Sequence, residues 1–295
     1  MTARIIDGKK IAAQIRDNLK QKIATLQSAP QLAIVLVGND EPSLIYVRNK
    51  QKAAAQIGLL SQLHHLDENI SEEELLKIIA QLNADSEING IIVQLPLPKH
   101  LNTNRVINAI SPLKDVDGFH PYNTGMLQNN EKPYFVAATP LGVMQLIKSV
   151  LPNLSGKNVV LIGASLIVGR PLATLLLNQE CTVTITHAQT RNIKELTSKA
   201  DILVAACGVA KLVKADWIKE NAVLIDVGIN RDNGKICGDI DFDDVKEKAL
   251  AITPVPGGVG PMTIAMLLSN TVDAFLLQKL IYINLIKPIK TVNTL

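Results

Sequence analysis

Short runs of aliphatic and β-branched residues alternate along this chain with longer stretches of helical periodicity, and that alternation restricts the fold more than any single motif. Leu32 to Val37 and Ile91 to Leu95 read as buried strands. A helix is expected between them over Glu41 to Ile57, and another over Ser71 to Leu82, where Ser71 and Glu74 have capping-box spacing. A second series starts near Pro140, with strands at Val159 to Gly163, Val183 to Thr186, Ile202 to Ala206 and Val223 to Asp226, and helices near Arg170 to Leu177 and Asn192 to Lys199. Strands that alternate with helices pair in parallel, because each crossover must return to the same end of the sheet. The expected fold is therefore α/β, with two domains that each carry a parallel sheet. A length of 295 residues suits two domains of roughly 100–200 residues. The boundary is expected in the stretch from Gly118 to Pro140, which reads as loop-rich, and a final helix over Met262 to Ile283 is expected to pack back onto the first domain.

Composition narrows the function. The chain is 47% hydrophobic and 19% charged, with a formal net charge of +3. It has no long Lys/Arg block and no basic-aromatic stripe, which argues against nucleic acid as a partner. The first ten residues hold no apolar signal core, and no uninterrupted apolar run reaches the ~18 residues that span a bilayer, so the expectation is a cytoplasmic protein without a membrane partner. Cys181, Cys207 and Cys237 lack metal-like spacing and are expected to be buried, reduced thiols. His64-His65 reads as a strand edge, His120 and His187 have no partner at ligand spacing, and no metal is assigned.

Several segments carry chemistry. Five of the six residues from Pro256 to Pro261 are glycine or proline, which makes either a rigid turn or a loop that a ligand approaches closely. Strand Val159 to Ile162 runs into Gly163-Ala-Ser-Leu-Ile-Val-Gly169 and then a helix, whose N-terminal amides suit a pyrophosphate. The spacing departs from G-x-G-x-x-G, and a strand-to-helix turn needs glycine for its own geometry, so a dinucleotide site and a bare turn both remain open. Asp226-Val-Gly-Ile-Asn230 would form the opposite lip of the same crevice. Tyr46 and Lys50 lie one helical turn apart and share a face; since only 3% of the chain is aromatic, that pair makes a plausible platform for a flat ligand, although a lone lysine is ordinarily a solvated helix residue. Gln94 ends a buried strand before Leu-Pro-Leu-Pro98, and Asp115-Val-Asp117-Gly118 sets two carboxylates in a turn, where capping of the turn is the simpler role for either one.

Taken together these segments resemble the bifunctional methylenetetrahydrofolate dehydrogenase/methenyltetrahydrofolate cyclohydrolase family. The resemblance runs from Ile6-Asp-Gly-Lys-Lys-Ile11 through Tyr46-Val-x-x-Lys50, Gln94-Leu-Pro-Leu-Pro98, Asp115-Val-Asp117-Gly-Phe-His-Pro-Tyr-Asn123, Ile167-Val-Gly169 and Asp226-Val-Gly-Ile-Asn230 to Thr253-Pro-Val-Pro-Gly-Gly-Val-Gly-Pro-Met-Thr263. It implies a folate-binding catalytic domain over 1–138, a Rossmann-like NAD(P)-binding domain over 139–270, a C-terminal helix over 271–295 packed on the first domain, and a folate cleft between the domains. The implied activity belongs to folate one-carbon metabolism: NAD(P)-dependent oxidation of 5,10-methylenetetrahydrofolate to the 5,10-methenyl form, then hydrolysis to 10-formyltetrahydrofolate.

The resemblance also implies roles for residues. Lys50 is the hydrolytic base, Gln94 its orienting partner, Tyr46 a stacking ring and Asp117 the anchor of the pterin. Ser43, Pro96, Leu97, Pro256, Gly257 and Gly258 line the substrate site, while Gly163, Ala164, Ser165, Ile167, Arg191 and Ile229 line the cofactor site. The implied partners are tetrahydrofolate derivatives and a second copy of the chain, as a homodimer. The implied cofactor is NADP, with NAD possible, because relatives commonly carry arginine where this chain has Ala164 and serine or a basic residue where it has Ala188-Gln189. A further departure is Val136-Ala-Ala138, where relatives often have Pro-Cys. The nearest alternative is a monofunctional, NAD-preferring dehydrogenase of the same family. A nicotinamide enzyme for another substrate, such as a shikimate or amino-acid dehydrogenase, is opposed by the Lys50, Gln94 and Asp117 set. A non-catalytic folate-binding protein is opposed by the presence of both Lys50 and the Gly163 turn.

Overall fold

In the computed structural model, which describes residues 2–232 and 234–286, the chain begins with β1 (Arg4–Ile5) and α1 (Gly8–Ala24). It continues through β2 (Gln31–Val37), α2 (Glu41–Ile57), β3 (Leu60–Leu66), α3 (Glu72–Ala84) and β4 (Gly90–Val93). β2 lies between β3 and β4 and pairs with both in parallel. Its residues Leu32 to Val37 are buried on both faces, as a strand covered by helices on each side requires. Local signals fix the helix ends. Asp40 caps α2, Gly58 ends it in the left-handed region at φ 82°, and Ser71 and Glu74 close a capping box at the start of α3.

Helices α4 (Thr103–Ala109), α5 (Pro121–Gln128) and α6 (Ala138–Lys148) lead into the second sheet. There follow β5 (Asn158–Ile162), α7 (Gly169–Leu177), β6 (Thr182–Thr186), α8 (Ile193–Thr197), β7 (Ile202–Ala205) and β8 (Val223–Asp226). The hairpin β9 (Asn230–Asp232) and β10 (Lys235–Cys237), the short α9 (Phe242–Val245), β11 (Ala251–Ile252) and the long α10 (Val259–Ile286) complete the order. The second sheet is six-stranded and parallel, in the order β1-β11-β8-β7-β5-β6. Its outermost strand β1 comes from the start of the chain, so residues 4–5 serve the second sheet before the first is built.

The stretch from Gly118 to Pro140, expected to be loop-rich, contains α5 and the first turn of α6. Pro121 supplies the fixed φ of a helix's first turn and His120 accepts from the Tyr122 amide, and these two features start α5 despite its poor helix formers. β4 stops at Val93, two residues short of the expected Leu95, although the Gln94 amide still donates to the Val35 carbonyl at 2.8 Å. Pro96 has no amide to extend that ladder.

By length and composition α10 could cross a membrane, with a mean hydropathy of 1.4 over Val259–Ile283, yet half of that window is buried inside the protein. It packs on α1 and α6, burying Met262, Leu267, Leu268 and Val272 in the largest core cluster. From Asn270 onward it is tied to the segments beside the first sheet. Gln278 donates to the carbonyls of Asn89 and Leu113, each at 2.8 Å, and Asn270 donates to those of Val116 (2.8 Å) and Val136 (2.9 Å). The expected helix extends beyond this to 295, but residues 287–295 lie outside the described residues.

Candidate active site

α2 presents Tyr46 and Lys50 one turn apart, as the spacing requires. Lys50 is buried, and its Nζ donates to Gln94 Oε1 at 3.1 Å. Gln94 in turn donates from Nε2 to the Leu95 carbonyl at 2.7 Å. An amide whose nitrogen is committed to a carbonyl can offer only its oxygen to the lysine, so the chain itself fixes which end of Gln94 faces Lys50. Tyr46 is 39% exposed, with burial pushing its phenol above the ordinary value.

The two carboxylates of the Asp115 to Gly118 turn have different duties. Asp115 is fully buried and accepts from the amides of Phe119 (3.2 Å) and His120 (2.9 Å) and from Asn123 Nδ2 (2.9 Å), so it caps its own turn. Burial pushes its carboxyl up to about 6 against those three donors. Asp117 is half-buried, and among the described residues no hydrogen bond reaches its carboxylate. Burial raises it as well, and the Lys50 ammonium opposes that rise.

Asp117's backbone is held from behind. Gly118 has φ 72°, and a Cβ there would lie 2.4 Å from both the Ala137 nitrogen and the Val136 carbonyl carbon. Asn270 ties the neighbouring carbonyls of Val116 and Val136 together. The backbone of Val136 and Ala137 is therefore a strap pressed on the turn that carries Asp117, a contact that does not depend on which side chains stand there. A hydrogen bond of 2.9 Å between the Thr139 and Thr263 hydroxyls joins the starts of α6 and α10 beside it.

Of the substrate-side candidates, Ser43 is buried and its hydroxyl donates to Asp40 Oδ2 at 2.7 Å within the α2 cap. Pro96 and Leu97 border a cavity of about 400 Å³ with Val37 to Asp40. In the Pro256 to Pro261 loop, Pro256 is exposed while Gly257 and Gly258 are buried. Gly257 has φ 115° and its carbonyl accepts from the Lys9 amide at 3.0 Å. A Cβ on Gly8 would lie 1.9 Å from the Gly258 carbonyl oxygen. The close approach of the loop to the start of α1 thus requires glycine at position 8, whereas Gly258 answers to its own turn, where a Cβ would lie 2.7 Å from the Pro254 carbonyl oxygen.

On the cofactor side, Gly163 has φ 121° and a Cβ there would come within 2.2 Å of the Ala206 carbonyl, so only glycine makes this turn. Ala164, Ser165 and Ile167 follow at the carboxyl end of β5. Ser165 Oγ accepts from the amides of Val168 (3.2 Å) and Gly169 (3.4 Å), capping α7 and keeping its own proton to donate. Arg170 folds back, with Nε donating to the Ala164 carbonyl at 3.2 Å. Arg191 is exposed beyond β6, and neither guanidinium forms an ion pair with a described residue. Ile229 projects 53% exposed beyond β8. A cavity of about 630 Å³ opens between the two sheet units, bounded by Leu95, Phe119, Ile167 and Arg170 among others. Lys50, Tyr46, Gln94 and Asp117 stand outside it.

The three cysteines are free. Only Cys181 is fully buried; Cys207 and Cys237 are half-buried, a correction to the expectation for both. Burial and then the charge of Asp239 push the Cys207 thiol up to about 11, which leaves it a poor nucleophile. Sequence reasoning did not single out Asp239, which holds the ends of two strands, nor Asn270. The Gly-Asp pair beyond the β9–β10 hairpin was the available signal for Asp239; an asparagine in an apolar helix was the one for Asn270.

Two family models match the chain: "Tetrahydrofolate dehydrogenase/cyclohydrolase, catalytic domain" over residues 6–117, and "Tetrahydrofolate dehydrogenase/cyclohydrolase, NAD(P)-binding domain" over residues 137–279. A "Bifunctional protein FolD" from a Wolbachia of Drosophila simulans is 55% identical, covering 93% of this chain and 96% of that protein. A solved bifunctional FolD methylenetetrahydrofolate dehydrogenase/cyclohydrolase from Campylobacter jejuni is 47% identical, with a TM-score of 0.92 over 94% of this chain and 99% of its own. The FolD of Trypanosoma brucei, solved with NADP cofactor and an inhibitor, is 37% identical, with a TM-score of 0.91 over 95% of this chain and 99% of its own.

Proposed function

The chain belongs to the tetrahydrofolate dehydrogenase/cyclohydrolase family, and from that premise we infer that Lys50 is the base of its hydrolytic step, with Gln94, Tyr46 and Asp117 completing the folate site. The enzyme is bifunctional, an NAD(P)-dependent methylenetetrahydrofolate dehydrogenase and a methenyltetrahydrofolate cyclohydrolase; the monofunctional alternative is not favoured.

In the dehydrogenase step the carbon bridging two folate nitrogens gives up hydride and becomes a cation shared with those nitrogens. A bound nicotinamide supplies the hydride acceptor. No protein base is required, and the residues act by positioning the donor carbon and excluding water. In the cyclohydrolase step water adds to that cationic carbon while Lys50 takes its proton; the adduct then collapses to the formyl group as one C–N bond breaks and the freed nitrogen takes up a proton. The observation that carries this assignment is the Lys50–Gln94 bond of 3.1 Å, with Gln94 anchored on Leu95, which aims a buried amine from a fixed direction. The bound substrate is itself a cation, and it repels a proton held beside it. Asp117, unlike Asp115, has its oxygens free to accept paired N–H bonds from a pterin edge, and Tyr46 offers a ring face. Ser43, Pro96, Leu97, Pro256, Gly257 and Gly258 would border the same ligand.

The cofactor residues fit a dinucleotide. The Gly163 turn, the Ser165 hydroxyl and the start of α7 would receive the pyrophosphate, and Ile167 and Ile229 would form apolar walls. Ala164 and Ala188 offer a 2′-phosphate neither charge nor a side-chain donor, so Arg191 is the substitute cation, with NADP used but weakly preferred over NAD. The domain reading keeps 1–138 with the helix from 271 as the folate domain and 139–270 as the nucleotide domain. A homodimer is supported by the open edge of β6, which carries an exposed Ile185, and by an exposed Leu177 at the end of α7, and a cytoplasmic location by the three free thiols. One experiment tests the core of this reading: methylenetetrahydrofolate is supplied with NADP and NAD in turn, and nucleotide reduction and methenyl decay are followed separately. Nucleotide reduction without accelerated methenyl decay would defeat the Lys50 assignment.

A further inference from the structure

Open parallel sheets bind ligands where the loops leave the carboxyl ends of their strands. Here the loops that leave β7 and β8, Cys207 to Val209 and Gly228 to Asn230, share one partner that belongs to neither. The Asp239 carboxylate, wholly buried, accepts from the amides of Cys207 (2.7 Å), Gly208 (3.0 Å) and Val209 (3.0 Å), and its Oδ1 also accepts from Asn230 Nδ2 at 2.8 Å. Three consecutive amides converging on one anion form a nest of the kind that elsewhere receives phosphate. In this chain the nest is filled from within.

Asp239 is itself held by a second carboxylate. Asp226, at the end of β8, accepts from the amides of Asp239 and Ile240, both at 2.9 Å, and of Gly228 at 3.1 Å. The packing is tight enough to dictate sequence. A Cβ on Gly228 would lie 2.1 Å from Asp239 Oδ1, and one on Gly238 would lie 1.8 Å from Asp226 Oδ2. The same clasp sets the exposed tips Val209 and Ile229, which rise from the two loops at the mouth of the crevice.

We propose that Asp239 is a positioning residue for the dinucleotide: it locks the loops after β7 and β8 into the one spacing that admits the cofactor. The inference rests on the reading that the cofactor occupies the crevice lined by Ile167 and Ile229. Asp239→Asn isolates the effect, because an amide placed in either orientation turns its NH2 toward at least two N–H donors while keeping the side chain's size.

The test measures NADP affinity directly by isothermal titration calorimetry, and cyclohydrolase kcat/KM on methenyltetrahydrofolate without nucleotide, for wild type, Asp239→Asn, Asn230→Ala and Ile229→Asp. Asp239→Asn should weaken NADP binding by about tenfold or more, and Asn230→Ala by about three- to tenfold, with cyclohydrolase kcat/KM held within about twofold in both. If NADP binding and cyclohydrolase fall together with the melting temperature, Asp239 is general structural support and the proposal is overturned. Unchanged NADP binding in Asp239→Asn also overturns it: a loss in Ile229→Asp then leaves the crevice reading intact, whereas no loss there removes the crevice reading as well. Should Asp239→Asn fail to fold, Asn230→Ala decides alone, selective loss of NADP affinity supporting the proposal and unchanged affinity overturning it.

Discussion

Lys50 and Gln94 come from different elements, so the geometry of the amine depends on how α2 sits against the end of β4 rather than on either residue alone. Lys50→Met should lower cyclohydrolase turnover by about 10²-fold or more while leaving a measurable dehydrogenase rate, since only hydrolysis needs a base. Equal losses in the two rates, with the fold intact by circular dichroism, would make Lys50 a binding residue. Asp117 and Asp115 offer a sharper contrast within one turn. Asp117→Ala should weaken binding of a tetrahydrofolate analogue and depress both activities with little change in stability. Asp115→Ala should leave three donors without their acceptor and lower stability by about 3 kcal/mol. Unchanged folate affinity in Asp117→Ala would remove its anchoring role. Residue spacing made the Tyr46–Lys50 face legible, but nothing in the order of residues says that Asp115 caps the turn while Asp117 stays uncommitted. That division depends on Asn123, eight positions further on, and on which carboxylate the turn points inward.

At the level of elements, the β/α alternation revealed most strands and helices because buried parallel strands are uniformly apolar, and β2, β4, β7 and β8 are examples. Among the elements that escaped, α1 carried a cap at Asp7 and helical periodicity, whereas β3 and β1 have weak local signals. β3, Leu-Ser-Gln-Leu-His-His-Leu, is an edge strand whose polar residues dilute its pattern, and only its histidine pair hinted at an edge. β1 has two residues and exists because β11 pairs with it across the length of the chain. The loop after β6 holds the remaining test of specificity. There the Thr190 hydroxyl accepts from the His187 amide at 2.9 Å, which sets the turn from which Arg191 emerges without a carboxylate partner among the described residues. Wild type should prefer NADP to NAD by a modest ratio of kcat/KM, and Arg191→Ala should reduce that ratio by about ten- to a hundredfold. A wild-type ratio above about a thousand would require another cation, and Arg170, folded over Ala164, is the next candidate.

For the molecule as a whole, pH acts on stability through groups of opposite tendency. Hydrogen bonds to Ser43 and Ser71 hold Asp40 and Glu74 below the usual carboxylate range, whereas burial pushes Asp226 up to about 7. The folded chain thus keeps the Asp226 proton more tightly than the unfolded chain, so this contribution is intact below about pH 4 and is lost as pH rises through about 7. The loss is about 4 kcal/mol at most. Urea midpoints for wild type and Asp226→Asn at pH 4 and pH 8 should reveal it as a pH-dependent difference between the two proteins; a constant difference would show that Asp226 titrates normally.

The path of the chain has a consequence of another kind. It lays β1 into the second sheet, goes back to build the first, crosses over again at α6 and returns in α10 to cover what it built earlier. A single cut anywhere between the two sheets would leave one piece with a strand that belongs to the other and the other piece with the helix its neighbour lacks. No simple break in a chain laid out this way yields two halves that are each structurally whole.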